Sequence, residues 1–467
     1  MRDVIETSVA LPVRLRLHEE PLGLWGTLRA ARRNVLEIVP QLALHQPMIS
    51  AKTATRWHMV MHPRGLRHIL RDNVAAYPRS IVSKRILEPG VGNSLFLAEG
   101  AEWRWQRRTA APVFSHRNLV DLAPVMQRAA AATVTRLARH HGGVADLFKE
   151  MVAVTFDIIS GVTLAGGGEM DSTEVEKAID AYIHAVARVS IVDLFGAPTW
   201  VPRPETMLRP NAARRLHRVA DRVVRSRMNN VSGKPDLLDH LKASLDPETG
   251  RRMNHLELRD NLLAFIVAGH ETTALALSWS LYLLAFDLAA QERAREEVAD
   301  VLGERDVAGT EDLIKLPFVG AVIDEAMRLY PPVGVIARTA QAEDRICGRV
   351  ILPGDTIMMP FYALHRHTLY WEEPDAFRPD RFVAQRAGRF TYLPFSDGPR
   401  VCIGAGFALM EAKIVLATIL KRFSFTSIGH VPKPRLVITL RPEGGVKLAV
   451  TDHFEKRGPA GRRRAAA

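Results

Sequence analysis

The longest apolar stretch of the chain limits its possible folds more than any other feature of the sequence. The stretch runs from Asn261 to Phe286, and Glu271 interrupts it near the middle. The uncharged part after that acid, Thr272 to Phe286, has 15 residues, fewer than the roughly 20 that a membrane-spanning helix needs. We therefore expect a helix buried at the centre of a globular body, and no membrane span.

The patterns on either side predict a mainly α fold with a small β portion. From Leu119 to Pro332, apolar residues recur at three- and four-residue spacing, which is typical of amphipathic helices. Beyond Pro332, Gly and Pro are denser, and the segment from Arg345 to Met359 predicts two short strands around Gly348. We expect a single domain over residues 1–454.

Composition restricts the class of protein and its partners. Of the 467 residues, 47% are hydrophobic and 24% are charged, which excludes a wholly disordered chain. Lys and Arg outnumber Asp and Glu by 63 to 51, so the net charge of +12 favours an acidic partner. Residues 455–467 hold five basic residues and one acid, hence +4, in a tail that we expect to be disordered. Two cysteines, Cys347 and Cys402, are too few for a disulfide framework, and no signal peptide is recognisable, which predicts a cytoplasmic protein.

Cys402 stands in a loop that Gly and Pro constrain, between Phe395 and Gly404, directly before a helical pattern. Peptide N–H groups at the start of a helix stabilise negative charge, and Arg400 adds a positive charge, so a thiolate is favoured there. Three interpretations are open: a small buried hydrophobic residue, a nucleophile, or a thiolate ligand of haem iron. A nucleophilic cysteine needs a His base, and the sequence has no local His–Cys signature.

The run Ala268-Gly269-His270-Glu271-Thr272-Thr273 places an acid and hydroxyl groups inside the apolar helix. Such groups are costly there unless they are paired or hydrated. A polar contact face between subunits or domains would explain them, and so would a reactive groove, because Gly269 lets another group approach the backbone. A zinc-binding helix is disfavoured, since residue 274, where the second ligand belongs, is Ala.

Two further pairs lie at helical spacing. Glu325 and Arg328 share one helix face, three residues apart, as the partners of many exposed ion pairs do. Trp103 and Arg107, four residues apart, present N–H groups that suit a carboxylate. Tryptophan interleaved with arginine also suits nucleic acid, so a nucleic-acid-binding helical protein is a competing hypothesis.

Taken together, these motifs resemble those of the cytochrome P-450 family. The fixed positions of its haem-binding signature, Phe-x-x-Gly-x-Arg-x-Cys-x-Gly, are all present between Phe395 and Gly404. The motifs that begin at residues 103, 268, 325 and 377 follow the family's order and spacing. The resemblance implies the family's fold, an α-rich domain around haem b with a minor β-sheet region, and a monooxygenase that activates dioxygen.

The resemblance also implies roles for individual residues. Cys402 is the implied iron ligand, with Phe395 in its signature, and Glu271 and Thr272 are the implied catalytic pair. Thr272 would hydrogen-bond the bound dioxygen, while Glu271 relays protons. The implied partners of the haem propionates are Trp103, Arg107, Arg338 and Arg400. The implied structural network consists of Glu325, Arg328 and Arg381. The substrate cavity is expected to be lined by Leu95 and Phe96, in the loop from Tyr77 to Gly100, and by Phe265, Ala268, Val333 and Ile336.

The expected substrate is a lipophilic small molecule such as a terpenoid, steroid or fatty acid. Electrons are expected to come from NAD(P)H through a separate reductase and a ferredoxin or flavodoxin, as the resemblance to soluble bacterial members implies. One alternative is a haem-thiolate peroxygenase, isomerase or sensor that uses no reductase-delivered electrons, and the pair Glu271–Thr272 counts against it. With haem and an electron donor to explain the basic charge, no nucleic-acid partner is expected.

Overall fold

The computed structural model describes residues 11–52, 55–163, 177–178, 181–182, 209–229, 236–384 and 387–453. The predicted basic tail, residues 455–467, lies outside the described residues. The helices are α1 (Leu24–Arg33), α2 (Pro63–Arg67), α3 (Ile81–Val91), α4 (Gly100–Ala110), α5 (His116–Ala138), α6 (Leu147–Thr163), α7 (Arg209–Asn229), α8 (Leu237–Ala243), α9 (His255–Phe286), α10 (Leu288–Leu302), α11 (Pro317–Leu329), α12 (Phe361–Leu364), α13 (Asp380–Ala384) and α14 (Ala405–Arg422). The strands are β1 (Met48–Lys52), β2 (Arg56–Val60), β3 (Val144–Asp146), β4 (Ile336–Thr339), β5 (Asp344–Ile346), β6 (Arg349–Ile351), β7 (Thr356–Met359), β8 (Phe423–Ser427), β9 (Lys433–Leu436), β10 (Leu440–Glu443) and β11 (Lys447–Asp452).

The apolar stretch forms α9, a helix of 32 residues that passes through the protein interior. It begins at a capping box, in which the side chains of Asn254 and Glu257 bind each other's backbone N–H groups. By length and composition α9 is the one described helix that meets the criteria for a membrane span, but 72% of its most apolar window is buried inside the protein. It packs against α6, α7, α11 and α14. The expectation of a buried central helix is therefore confirmed, and its apolar character all round follows from contacts on several faces.

The β portion is small and consists of short strands. One sheet has the order β1-β2-β7-β4, with β2 and β7 parallel and the other pairs antiparallel. A second sheet has the order β3-β11-β8, and two hairpins join β5 to β6 and β9 to β10. β4 carries Arg338, which is 4% exposed, so the first sheet brings a guanidinium group into the interior.

The segment from Arg345 to Met359 differs from its prediction, because it contributes to three strands rather than two. β5 and β6 form a tight hairpin of their own before β7 begins. The turn between them is Cys347-Gly348, and both residues have positive φ, +48° and +78°. Such turns match the right-handed twist of paired strands. A single glycine marks this turn in the sequence, since Cys347 supplies the other left-handed residue against its usual preference.

The segment from Tyr77 to Gly100 also differs from its prediction as a loop, since α3 occupies its middle. The Ser80 side chain caps this helix by accepting from the Ser83 N–H at 3.1 Å. Pro89 lies inside this helix, near its C-terminal end. The helix separates Arg79, before α3, from Leu95 and Phe96, after it.

Candidate active site

The loop before α14 holds Cys402 in a fixed backbone conformation. The Cys402 N–H donates to the Phe395 carbonyl oxygen at 3.0 Å, which closes the loop. Gly398 has a φ of +78°, and a Cβ atom there would lie 1.9 Å from the carbonyl oxygen of Leu70. No larger residue fits that approach without a shift of the backbone. The glycine of the motif is therefore required by sterics, and it sets the path of the chain into Cys402.

The surroundings and the accessibility of Cys402 together indicate that its side chain borders an internal cavity. Burial raises the pKa of its thiol, while the Gly404 N–H and the charge of Arg107 act in the opposite direction. Cys402 is nevertheless accessible to solvent. A group that surrounding protein desolvates and that is still accessible borders a cavity inside the molecule. A metal cation bound to the sulfur would hold it as the thiolate, since coordinating thiols are deprotonated.

The helix α9 forms another wall of this cavity at Ala268. Ala268 is exposed, although it lies in the middle of a largely buried helix. Thr272, one turn later, is half-buried, and its Oγ1 donates to the Ala268 carbonyl oxygen at 2.7 Å. Glu271 is 5% exposed. An acid and a hydroxyl group therefore lie next to the accessible part of the helix.

Phe114 connects the two walls. Its ring lies 5.2 Å from that of Phe265 on α9, edge to face. Its Cε1 atom lies 4.0 Å from the position that a Cβ at Gly404 would take. The cysteine loop and α9 are thus separated by about one aromatic side chain at this end of the cavity.

A cluster of buried cations surrounds a single carboxylate. Burial first, and the charges of neighbouring guanidinium groups second, lower the pKa of Arg79 to about 9 and that of Arg338 to about 10. Burial also lowers the pKa of Arg400, against the attraction of Glu99. Glu99 pairs with Arg400 and accepts from the backbone N–H of Arg79 at 2.9 Å. One carboxylate does not neutralise three guanidinium groups, so the cluster keeps an excess of positive charge.

Donor atoms of this cluster have no acceptor within the part of the chain that the structure describes. These atoms are Nε of Arg79, Nε of Arg338 and one terminal nitrogen of Arg400. Buried donors are normally satisfied, so their number at one place points to an anionic ligand. Arg338 and Arg400 were predicted from the sequence, whereas Arg79 was not. An isolated β-bridge pairs Arg79 with Arg338, and no local pattern around residue 79 indicates it.

Trp103 and Arg107 lie on α4, beside this cluster and the cysteine respectively. The Arg400 guanidinium lies 4.5 Å from the centre of the Trp103 ring. Burial lowers the pKa of Arg107, and the charge of Cys402 acts against that change. The two α4 residues thus have different neighbours: Trp103 lies beside Arg400, and Arg107 lies beside Cys402.

The structure brings together the three residues of the predicted network. Arg328 and Glu325 form a bidentate pair at 2.7 Å, and both side chains are fully buried. Arg381 reaches Glu325 at 3.2 Å. Arg328 also donates to the carbonyl oxygens of His365, Pro374 and Ala376, at 2.7–2.9 Å. The network ties α11 to the chain that leads into the cysteine loop.

The predicted cavity residues differ in placement. Phe265, Val333 and Ile336 are half-buried and Ala268 is exposed. Phe96 is 38% exposed and lies against the Arg79 guanidinium, 4.5 Å from the ring centre. Leu95 is 7% exposed and belongs to the hydrophobic core, where its N–H donates to the Asn261 side chain at 2.9 Å.

Comparison with known proteins agrees with this geometry. The sequence profile described as Cytochrome P450 matches residues 32–449. The chain belongs to the cytochrome P450 family. It is similar to cytochrome P450 4V2 of Homo sapiens, with 31% identity over 78% of this chain and 74% of that one. It is also similar to a cytokinin hydroxylase of Arabidopsis thaliana, at 32% identity over 88% of this chain and 84% of the other. The cyclooctatin synthase of Streptomyces melanosporofaciens is 29% identical over 90% of this chain and 93% of its own.

The fold agrees as well. The crystal structure of the cytochrome P450DA heme domain superposes with a TM-score of 0.81, at 23% identity, and covers 95% of this chain and 98% of that one. This P450 is therefore a haem-dependent monooxygenase, an oxidoreductase whose family takes electrons from redox partners and oxidises lipophilic substrates.

The residues of the cavity fit haem. Haem carries two propionates, which would satisfy the orphaned donors of Arg79, Arg338 and Arg400. Its iron takes an axial thiolate in P450s, and Cys402 is the accessible sulfur in the cavity. The exposed position of Ala268 leaves space on the α9 side.

Arg79→Gln tests the assignment of the cation cluster. A hydrogen bond to a charged group contributes about 1.5–3 kcal/mol, so the variant should lose haem roughly ten- to a hundredfold faster. The measurement is haem transfer to excess apomyoglobin. Arg67→Gln, which removes an exposed guanidinium, is the control and should leave the rate unchanged. In the haem-free protein, Arg79→Gln should maintain or raise the thermal midpoint, because it removes a like charge beside Arg338 and Arg400. Unchanged haem transfer in Arg79→Gln would contradict the assignment.

Proposed function

We propose that this P450 hydroxylates a lipophilic small molecule, with Glu271 and Thr272 delivering protons and a separate ferredoxin or flavodoxin system supplying electrons from NAD(P)H. The observation that carries the proposal is the arrangement on α9. A buried acid and a half-buried hydroxyl group lie within one turn of Ala268, an exposed residue in the middle of the helix. A reaction that needs no proton delivery would not explain why Glu271 and Thr272 stand in an apolar helix, where polar groups are costly.

The residues of the chain divide the task between holding the cofactor and moving protons. Cys402 would hold the haem iron, and Arg79, Arg338 and Arg400 would hold the propionates. When bound, haem would supply dioxygen activation, which a thiolate ligand promotes. The Thr272 hydroxyl has one hydrogen, which points to the Ala268 carbonyl oxygen. Rotation about the Cβ–Oγ1 bond turns that hydrogen toward the cavity, and Glu271 restores protons to this end of the helix.

The lipophilic substrate class is supported by the character of the residues that are expected to line the cavity. Phe265, Val333 and Ile336 are apolar and half-buried, so they offer carbon atoms rather than charges to a ligand. Apolar walls also exclude water from the place where protons are delivered. One relative is a cytokinin hydroxylase, which supports hydroxylation as the type of reaction. Within the lipophilic class we propose a terpenoid, a steroid or a fatty acid.

A small acidic electron-transfer protein is supported by the charge near the cysteine loop. Arg71, Arg104 and Arg117 are exposed. The Cα atom of Arg71 lies 3.2 Å from the position of a Cβ at Gly398, so Arg71 adjoins the loop. Positive side chains around a buried redox centre attract acidic partners and orient them. Ferredoxins and flavodoxins are partners of that kind.

A cytoplasmic location is part of the proposal. Neither cysteine is in a disulfide, and Cys347, which no proposed ligand covers, is an exposed free thiol. Free thiols persist in a reducing compartment, where disulfides are rare.

Thr272→Ala tests the proton-delivery role. Without the hydroxyl group, product formed per electron should fall on the order of tenfold and hydrogen peroxide should rise by the missing amount, since positioned proton donors contribute at least that much. Ser280→Ala is the matched control, because Ser280 lies on the same helix and donates to its own preceding-turn carbonyl at 2.7 Å, the distance found for Thr272. Normal coupling in Thr272→Ala would remove Thr272 from the mechanism.

A panel of ligands tests the substrate class. Terpenoids, steroids and fatty acids of matched size, with sugars and nucleosides as polar controls, are titrated into the ferric enzyme. At least one lipophile should displace the water from the iron and give a saturable shift of the Soret band, because apolar walls favour apolar ligands. Shifts that appear with the polar ligands alone would contradict the proposed class.

A further inference from the structure

Glu271 has a charged partner that none of the sequence motifs contains. Arg441, on β10, forms an ion pair with Oε1 of Glu271. The Glu271 side chain is 7% exposed, whereas that of Arg441 is 28% exposed. Among the residues that the structure describes, Arg441 is the cation within ion-pair distance of this acid. The pair therefore connects a buried carboxylate to the protein surface.

The strand that carries Arg441 is anchored to the helix that carries Glu271. The N–H of Leu440, the residue before Arg441, donates to the Pro332 carbonyl oxygen at 2.9 Å. The Leu440 carbonyl oxygen accepts from Nε1 of Trp279 at 3.1 Å. Trp279 belongs to α9, about two turns after Glu271. The N–H and the carbonyl group of Leu440 are thus both held by hydrogen bonds, and the carbonyl group is held by α9 itself.

The pairing of β9 with β10 favours an ion pair between Arg441 and a residue outside this hairpin. It places Arg441 directly opposite Arg435. Like charges at facing positions destabilise a hairpin, unless each has a counter-charge. Arg435 pairs with Glu443 at 2.6 Å within the hairpin. Arg441 forms its ion pair with Glu271 on α9 instead, so this ion pair stabilises the hairpin and also fixes the helix against it.

We propose that Arg441 is a positioning residue for Glu271, and that their ion pair is the point at which protons from solvent reach the active site. This inference rests on the proposed function, in which Glu271 relays protons. In each transfer, a water molecule at the exposed edge of Arg441 gives one proton to the Glu271 carboxylate. The acid then gives one proton to the Thr272 hydroxyl oxygen, which passes its own hydrogen into the cavity, and the carboxylate is regenerated. Bulk solvent neutralises the hydroxide.

The test compares four variants of the haem-loaded enzyme, Arg441→Gln, Arg441→Lys, Glu271→Gln and Arg435→Gln. Product formed per electron is measured at saturating substrate. R441Q should lower this ratio about tenfold, because misplacing a reacting group by about 1 Å costs up to about a hundredfold. R441K should restore most of it, since it keeps the charge. The ratio should be unchanged in R435Q, which removes the facing arginine of the same hairpin. Substrate dissociation constants should stay at the wild-type value in all four variants.

A second measurement reports the pair without catalysis. Unfolding of the haem-loaded protein by urea is compared for R441Q, E271Q and the double variant. R441Q should lower the folding equilibrium constant at least tenfold, because it leaves the Glu271 carboxylate unpaired in a largely buried place. E271Q should lower it less, because Arg441 is partly exposed to solvent. The double variant should be at least tenfold more stable than the product of the two single effects predicts. Additive effects would show that the two side chains are not coupled, and would overturn the proposal.

The remaining outcomes separate this inference from the proposed function. If E271Q and T272A both keep wild-type coupling, the proposed function fails. If those two lose coupling while R441Q keeps it, only the role of Arg441 is overturned. Equal losses in R441Q and R435Q also overturn it, because they indicate a general effect of the hairpin. If R441Q does not fold, the folding of the double variant R441Q/E271Q distinguishes two explanations. A double variant that folds supports the ion pair. A double variant that also fails to fold shows that Arg441 is needed by the hairpin alone.

Discussion

A buried excess of positive charge is the constraint on which the rest of the structure depends. Arg79, Arg338 and Arg400 converge on one carboxylate, Glu99, and burial lowers the pKa of each guanidinium. Charges removed from water are costly unless counter-charges compensate them. The cluster is therefore expected to be stable beside an anionic ligand, and the two propionates of haem would supply the missing charge. The proposed haem position rests on where these guanidinium groups lie.

The fold holds both walls of the cavity by contacts that lie outside it. The bidentate pair of Arg328 and Glu325 fixes the chain that leads to the cysteine loop. The Thr155 hydroxyl on α6 donates to the His270 carbonyl oxygen at 2.6 Å, which fixes α9 next to Glu271. Buried polar contacts of this kind rigidify the elements that they join. A proton-delivering side chain on such a helix needs little rearrangement before it reacts.

Features set by local sequence were predictable, and features set by distant pairing were not. The run from Phe395 to Gly404 and the apolar stretch of α9 carry their structural reasons within a few residues, such as the steric demand at Gly398. The roles of the residues in those motifs were inferred from the family resemblance, because a local pattern does not show what lies across a cavity. Arg79 and Arg441 were missed for the same reason. Arg79 meets Arg338 through a β-bridge, and Arg441 meets Glu271 through an ion pair between β10 and α9, so in both cases the partner lies far away in the chain.

We assign Cys402, as a thiolate, to the haem iron in the cavity between its loop and α9. The most direct measurement is the absorbance spectrum of the reduced enzyme under carbon monoxide, for the wild type, Cys402→Ser and Cys347→Ser. The wild type and Cys347→Ser should give the red-shifted Soret band of a thiolate-ligated haem, and Cys402→Ser should lack it. A wild-type enzyme without that band, or a Cys402→Ser variant that retains it, would contradict the account.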